Sequence, residues 1–176
     1  MELKPSATGL ETITFMSSLY RFFFLYLEPF STIVGAFYAY VLPGTYLELT
    51  HAASAPTRGA DGLVVVPTST AVVLAQLANL YVLFAINEGL VLRCTNDARV
   101  WRTLLFGLLI ADFGHLYSVR DLGLHKYWQV WGWNAMDAGN IGFVYLGALM
   151  RIAFLSGLGV STTRDTTAGG PKVKRR

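Results

Sequence analysis

The stretch TAVVLAQLANLYVLFAINEGLVL, residues 70–92, decides the fold class of this chain. Glu88 is its only charged residue, and a helix of about 20 apolar residues is long enough to cross a bilayer core of about 30 Å. Three other stretches have a similar length and composition, at about residues 16–42, 100–119 and 130–158. The sequence therefore predicts an all-α integral membrane protein, a four-helix bundle with a polar interior and both termini in the cytosol.

The composition agrees with this prediction and excludes several other classes. Of 176 residues, 53% are hydrophobic and 14% are charged, whereas soluble domains carry about 25% charged residues. A two-domain soluble enzyme is therefore excluded, and the single cysteine, Cys94, excludes a disulfide framework. Four of the 14 basic residues lie in the last five positions, which leaves 10 basic against 11 acidic residues in the body. Because the body is nearly neutral, no nucleic-acid partner is expected.

The sequence predicts that the chain consists of three segments. Residues 1–15 form a cytosolic N-terminal segment, residues 16–158 the four-span membrane domain, and residues 159–176 a basic tail expected to be disordered. In the tail, Lys172 and Lys174 resemble the dilysine retrieval signal of endoplasmic-reticulum proteins, which is recognised in the cytosol. We therefore expect a multi-pass protein of the endoplasmic-reticulum membrane. A tail that lies on anionic lipid is the alternative.

The short connections set the predicted orientation. The basic residues on the side of the termini are Lys4, Arg93, Arg99, Arg102, Arg164 and the four of the tail, and those on the opposite side are Arg58, Arg120 and Lys126. The excess of basic residues places the termini in the cytosol. The first connection, residues 43–69, contains prolines, glycines and an apolar run that is too short to span a membrane. We expect it to be a loop that folds back over the bundle.

Polar side chains inside the predicted spans are functional candidates, because each charged group costs several kcal/mol in lipid unless it is paired or faces water. At about 100° per residue they form one polar stripe in each span. Four such stripes that face one another would produce a polar interior. The residues are Arg21, Glu28, Gln76, Asn79, Asn87, Glu88, Asp112, His115, Asp137, Asn140 and Arg151.

The lumenal half of the bundle is predicted to hold an acidic cavity. No Lys or Arg is expected at that depth to neutralise Asp112 or Asp137, so one carboxyl could stay protonated and act as an acid. His115, one helical turn after Asp112, could orient it or accept a proton. The amides expected in the same layer are Gln76, Asn79 and Asn140.

The cytosolic half is predicted to hold structural ion pairs. Glu88 would neutralise Arg151 or Arg21, and such buried pairs hold helices in register. Glu28 lies near the middle of its span, where it could belong to the catalytic cavity or join the ion pairs.

We expect neither a metal nor a cofactor. Asp112, His115 and Asp137 could supply two carboxylates and one imidazole, but the chain has no HxxH or HExxH spacing. A nucleophilic serine in a G-x-S-x-G elbow is also missing from the sequence.

Four short motifs carry a family resemblance. They are Leu27-Glu28-Pro29 followed by Gly35, Gln76-Leu77-Ala78-Asn79, Ala111-Asp112-Phe113-Gly114-His115-Leu116-Tyr117 and Trp133-Asn134-Ala135-Met136-Asp137. Over about residues 15–158 the chain resembles small four-span fungal integral membrane proteins that accompany polyketide or terpenoid pathways. Its layout is also similar to that of emopamil-binding sterol isomerases and membrane-bound meroterpenoid cyclases, which protonate an alkene or epoxide with an intramembrane carboxyl. The cyclases have seven spans, so the similarity to them is architectural.

The resemblance implies a cofactor-independent acid/base enzyme that opens an epoxide or cyclises an apolar polyketide or terpenoid. Asp112 and Asp137 would be proton donor and base in either order, with Glu28 as a further carboxyl and His115 as a relay. The residues expected to bind substrate or shape the cavity are Gln76, Asn79, Asn140, Trp133 and Tyr117.

Two other classes remain open from the sequence. One is a non-catalytic lipid or sterol binder, or a chaperone for a partner enzyme. The other is a proton-coupled transporter, for which the chain is short and lacks paired broken helices. The expected partners are an apolar small molecule and the lipid bilayer, with a homodimer or a pathway enzyme as further partners.

Overall fold

The computed structural model describes residues 10–59, 62 and 64–164. Residues 1–9 and the tail from residue 165 lie outside this part of the chain, and with them the predicted retrieval lysines Lys172 and Lys174. The described chain is mostly helical. Its five helices are α1 (Ser18–Val41), α2 (Pro43–His51), α3 (Thr68–Cys94), α4 (Ala98–Ser118) and α5 (Ala135–Leu155).

Three of these helices, α1, α3 and α5, are long and apolar enough to cross a membrane. The sequence predicted four spans. The predicted third span is indeed a helix, α4, and its 21 residues are sufficient in length. Its composition is less apolar than that of the other three because it includes Arg102, Asp112 and His115. On composition alone, α4 is therefore not a candidate span.

Local sequence signals set the helix ends. The Asp97 carboxylate accepts a hydrogen bond from the backbone N–H of Arg99 (2.8 Å) and so caps α4. Asn134 and Asp137 form a reciprocal capping box at the start of α5. Leu42 leaves helical geometry and separates α1 from α2, which begins at Pro43. The connection predicted as a loop therefore contains a nine-residue helix.

The helices pack in two pairs, α1 against α3 and α4 against α5. One apolar core joins the start of α1 to α4 and α5 through the rings of Phe24, Trp101 and Phe154. The Trp101 and Phe154 rings are stacked, with centroids 5.6 Å apart. A second core holds small residues such as Ala39 and Ala78, which let α1 and α3 approach each other closely.

A two-stranded ribbon, which the sequence analysis missed, joins the segments on either side of the helical body. β1 (Glu11–Met16) pairs antiparallel with β2 (Val160–Arg164). The fold is therefore not purely α-helical, and the segment predicted to be disordered from residue 159 begins with a strand. Both strands are rich in β-branched residues, which suit extended backbone. Neither is stable alone, so the pairing of distant segments decides the structure.

The ribbon is also fastened to the connection between α3 and α4. The N–H of Ile13 donates to the carbonyl of Asn96 (2.8 Å). Glu11 accepts from Arg102 (2.9 Å) and from the Thr162 hydroxyl (2.8 Å). The ribbon therefore lies at the same end of the helical body as the loop before α4 and the start of α4.

The Glu11 contacts predict a pH dependence of the ribbon. The Thr162 hydroxyl, and then the Arg102 guanidinium, lower the pKa of Glu11 below its ordinary value of 4.5. Because the folded-state pKa is the lower one, the contribution of Glu11 is fully present above pH 4.5 and is lost as the pH falls through the lowered pKa. Hydrogen exchange at the β1 amides, corrected for the intrinsic rate, measures this loss.

The Glu11→Gln variant is the control for this prediction. Its ribbon amides should be less protected at neutral pH, and the drop in protection below pH 4.5 should be smaller than in the native chain. Equal pH profiles for the two proteins would show that another acidic group controls the ribbon.

Candidate functional site

One guanidinium group connects the four long helices. Arg151 on α5 is 2% exposed. Its Nη2 lies 2.5 Å from the Glu28 carboxylate on α1 and 3.0 Å from that of Glu88 on α3. Its Nη1 lies 2.8 Å from Asp112 on α4. We call these four residues the Arg151 cluster.

The helix geometry around the cluster is irregular. Each of the three candidate spans contains one π-helical turn, at Phe23–Leu27, Asn87–Val91 and Ala138–Phe143. A π turn adds a residue to the turn, shifts the face of the helix beyond it, and is frequent at functional sites. Glu28 directly follows the first turn and Glu88 lies in the second. Regular helical spacing therefore does not describe which side chains meet here.

The cluster is rich in negative charge and has unused hydrogen-bonding atoms. Three carboxylates surround one guanidinium, so the group would carry a net charge of −2 if every member were ionised. In the described part of the chain, Glu28 Oε2, Glu88 Oε2 and Arg151 Nε are buried without a hydrogen-bond partner. A buried polar atom without a partner is rare in folded proteins. The described residues therefore leave hydrogen-bonding capacity of the cluster unused.

A cavity of about 680 Å³ lies beside the cluster and is lined by all four of its members. The remaining wall is mainly apolar and aromatic. Its side chains come from every helix, among them Phe30, Tyr46, Phe84, Leu108, Met136 and Phe143. Apolar cavities with a few convergent polar groups are typical of small-molecule sites.

His115 adds a titratable group to this cavity. The backbone of Asn140 interacts with its imidazole, and both residues line the cavity wall. The ring atom Nε2 is buried and has no hydrogen-bond partner within the described residues. His115 and Asn140 therefore lie where the sequence analysis expected them, beside a carboxyl-containing cavity, but the carboxyls belong to the Arg151 cluster.

Asp137 has a different environment from the predicted one. It is 3% exposed and binds Lys126 Nζ at 2.6 Å. It also accepts from the backbone N–H of Asn134 (3.1 Å) as part of the cap on α5. Asp137 is not among the residues that line the cavity.

The expectation that neither Asp112 nor Asp137 has a basic partner was therefore wrong. The segment before α5 folds back and brings Lys126 to Asp137, and the long Arg151 side chain reaches Asp112. Depth counted along straight helices could not show either contact. The two predicted layers are replaced by the Arg151 cluster and a separate Lys126–Asp137 pair.

Gln76 and Asn79 do not face the interior, although the sequence analysis placed them there. Both are exposed. The inward face of α3 is instead formed by small, apolar and tyrosine side chains that recur at helical spacing as far as Glu88. Gln76 precedes Ala78 of this face by two residues, so its side chain points about 200° around the helix from that of Ala78. The residues of this inward face are Leu74, Ala78, Tyr81, Ala85, Glu88 and Leu92.

Three other predicted residues also lie away from the cavity wall. Trp133 donates its indole N–H to the Lys126 carbonyl (2.8 Å) and stabilises the segment before α5. Tyr117 is exposed beneath the Arg120 guanidinium. Arg21 is exposed, and the partner of Glu88 is Arg151 rather than Arg21.

Gly147 makes room for the Arg151 side chain. A Cβ atom at this position would lie 2.6 Å from Arg151 Nη1 and 3.5 Å from Glu28 Oε1. The guanidinium could avoid this contact only by moving away from the carboxylates that it binds. The small residue one turn before Arg151 is therefore part of the site.

We expect Gly147→Ala to destabilise the protein by about 2 kcal/mol, because overpacking displaces a buried, paired group. Thermal unfolding in detergent measures the loss. The matched control is Gly114→Ala, since a Cβ atom there meets nothing within 4 Å. A Gly147→Ala chain as stable as the control would show that the cluster can shift without cost.

The match to a known family covers the whole of this site. A family model described as a domain of unknown function, DUF7704, matches residues 13–161. That range includes all five helices and every member of the Arg151 cluster. No curated protein and no solved structure matches the chain. Because the match extends over most of the sequence, the chain belongs to the DUF7704 family.

Proposed function

We propose that α4 is a fourth membrane span. β1 precedes α1, β2 follows α5, and the two strands are hydrogen-bonded, so they lie on one side of a bilayer. Three crossings would place them on opposite sides. α2, with nine residues, is about 13 Å long and too short to cross, whereas α4, with 21 residues, is about 31 Å long. If α4 also crosses, the chain crosses the bilayer four times and both strands lie on the same side.

The surface of α4 supports this proposal. Phe106, Ile110, Phe113 and Tyr117 are exposed and recur every three or four residues, which gives an apolar stripe on the outside of the helix. The polar residues Asp112 and His115 instead line the cavity. A helix that is apolar outside and polar inside fits a bundle in lipid.

Charge distribution gives the proposed orientation. The ribbon end carries Arg93, Arg99, Arg102 and Arg164, and the opposite end carries Arg58, Arg120 and Lys126. By the positive-inside rule the ribbon faces the cytosol. A cytosolic tail is the condition under which a dilysine signal is recognised, so we propose the endoplasmic-reticulum membrane as the location.

For the activity, we propose acid/base catalysis without a cofactor on an apolar epoxide of the polyketide or terpenoid class. The observation that carries this proposal is the Arg151 cluster in the wall of an apolar cavity. Glu28 and Glu88 line the cavity, and the second carboxyl oxygen of each is buried without a hydrogen-bond partner among the described residues. An acid and a base in a water-poor site are what epoxide opening needs.

The proposed acid is the carboxyl pair of Glu28 and Glu88. Both carboxyl groups bind the same guanidinium nitrogen of Arg151, and in this proposal the pair carries one proton. In the reaction this proton passes to the epoxide oxygen as a carbon–oxygen bond breaks. Asp112 binds the other side of Arg151 and positions its guanidinium.

The proposed base is His115. Its Nε2 atom would accept the proton of the attacking water or hydroxyl as that oxygen bonds to the epoxide carbon. A water nucleophile yields a diol, and an internal hydroxyl yields a cyclic ether. With an internal alkene as the nucleophile, a carbon ring forms and leaves a carbocation, and His115 would then take the proton that this cation loses from the neighbouring carbon. Return of the proton from His115 to the carboxyl pair completes the cycle, so no redox partner is needed.

The cavity has a route for an apolar substrate. Phe30 and Val34 line it and are also exposed on the outer face of α1, at 69% and 39%. Ala138 and Gly139 of α5 are likewise exposed and line the cavity. The opening between α1 and the start of α5 therefore faces the lipid, from which a hydrophobic molecule can enter.

The test uses microsomes that contain the full chain and a terminal epoxide of an acyclic polyprenyl chain, in labelled water and without added cofactor. Hydrolysis adds one solvent oxygen to the product, whereas cyclisation or isomerisation leaves the mass unchanged. We expect Glu28→Gln, Glu88→Gln and His115→Gln each to lower turnover about 100-fold or more, which is the usual contribution of one general acid or base.

Two variants serve as controls for this test. Glu48→Gln changes a carboxyl in an exposed pair with Arg58 and should leave turnover unchanged. Asp137→Asn separates the present proposal, in which turnover persists, from a role for Asp137 in catalysis. If the cluster variants lose stability but keep wild-type turnover, the cluster holds the helices together and the protein is a binder or chaperone.

A further inference from the structure

The cavity has a second polar point, which the proposed reaction does not use. The hydroxyls of Tyr46 on α2 and Tyr81 on α3 lie 3.4 Å apart, and both side chains line the cavity. Tyr46 is 8% exposed. A buried phenol normally has a hydrogen-bond partner, and 3.4 Å is long for an O–H···O bond. The two hydroxyls therefore satisfy each other poorly.

The register of α1 against α3 gives the approximate separation between the tyrosine pair and the Arg151 cluster. α1 and α3 are antiparallel, because Glu28 and Glu88 meet at Arg151 while Gly35 meets Tyr81. Seven residues separate the two levels on each helix. At about 1.5 Å per residue, the backbone level of Tyr81 lies about 10 Å along α3 from that of Glu88.

Glycine at position 35 allows the Tyr81 ring to occupy this place. A Cβ atom on Gly35 would lie 3.3 Å from Tyr81 Cε2, which is tighter than an ordinary contact. The ring therefore packs directly on the backbone of α1 and its hydroxyl reaches the Tyr46 hydroxyl from α2. Three helices thus build this end of the cavity.

We propose that Tyr46 and Tyr81 form a second subsite, which binds a hydroxyl or carbonyl oxygen of the substrate. Each phenol can donate one hydrogen bond and accept others, so one oxygen placed beside the pair can bond to both. This inference rests on the proposed function for the identity of the reacting end. The substrate class is then a rigid or extended hydrophobic molecule with two oxygen functions about 10 Å apart.

The wall between the two polar points fits such a molecule. Phe30, Val34 and Phe84 lie at the levels between them and line the cavity, and Tyr81 itself contributes its ring. A volume of about 680 Å³ is in the range of small-molecule sites. An apolar skeleton would fill the middle, while the oxygens at its ends would find the carboxyl pair and the tyrosine pair.

The test measures binding rather than turnover, with the full chain in nanodiscs. The probes are a rigid tetracyclic diol with one hydroxyl at each end of its rings and the analogue that lacks one of them. Because a hydrogen bond is worth about 1 kcal/mol net, we expect the native chain to bind the diol about fivefold more tightly. Tyr46→Phe and Tyr81→Phe should each bring this ratio close to one and leave the affinity for the mono-alcohol unchanged.

Tyr40→Phe is the matched control, because Tyr40 lies on the exposed outer face of α1. It should retain the native preference. An equal affinity of the native chain for both probes, or a preference that survives in both phenylalanine variants, would overturn the subsite. A loss of affinity for both probes alike would show a structural role for the pair and would also overturn it.

The outcome is distinguishable from that of the proposed function. A diol preference without cofactor-independent turnover would refute the chemistry and support the subsite. Turnover that depends on Glu28 and Glu88 without any diol preference would support the chemistry and refute the subsite.

Discussion

The interaction on which the structure depends is the contact of Arg151 with carboxylates from three other helices. Each of the four long helices contributes one charged side chain, and none of these charges is tolerable in lipid alone. Loss of one partner from a buried ion pair typically costs about 3–5 kcal/mol, because the other charge stays buried. The relative positions of α1, α3, α4 and α5 are therefore coupled through one guanidinium.

Other features of the bundle accommodate this contact. Gly147 leaves space for the guanidinium, and π-helical turns in α1, α3 and α5 lie next to the polar residues. The cluster does not fill the space between the helices, so a cavity remains beside it. A polar centre that holds the helices together thus also provides reactive groups for the cavity. Stability and the proposed chemistry use the same side chains.

Composition and periodicity predicted the helical membrane domain and named every member of the Arg151 cluster, because charged residues in apolar stretches stand out. Composition and periodicity did not predict that Gln76 and Asn79 are exposed, because small side chains such as Ala78, rather than polar ones, form the inward face of α3. Lys126 reaches Asp137 through an irregular segment that no helical wheel describes. The tyrosine pair was missed because Tyr46 lies in a connection expected to be a loop. Tyr81 could have been predicted to face the interior, since it lies on the same helical face as Ala78, Ala85 and Glu88.

The sequence positions of the cluster have a consequence for biogenesis. Glu28 precedes Arg151 by 123 residues, and Glu88 precedes it by 63. Because chains are made and inserted from the N-terminus, the three acidic helices are synthesised before the one cation that neutralises them. In the proposed four-span topology, those carboxyls therefore lack the cation of the cluster until α5 is synthesised. The last helix to be made thus supplies the charge that completes the cluster.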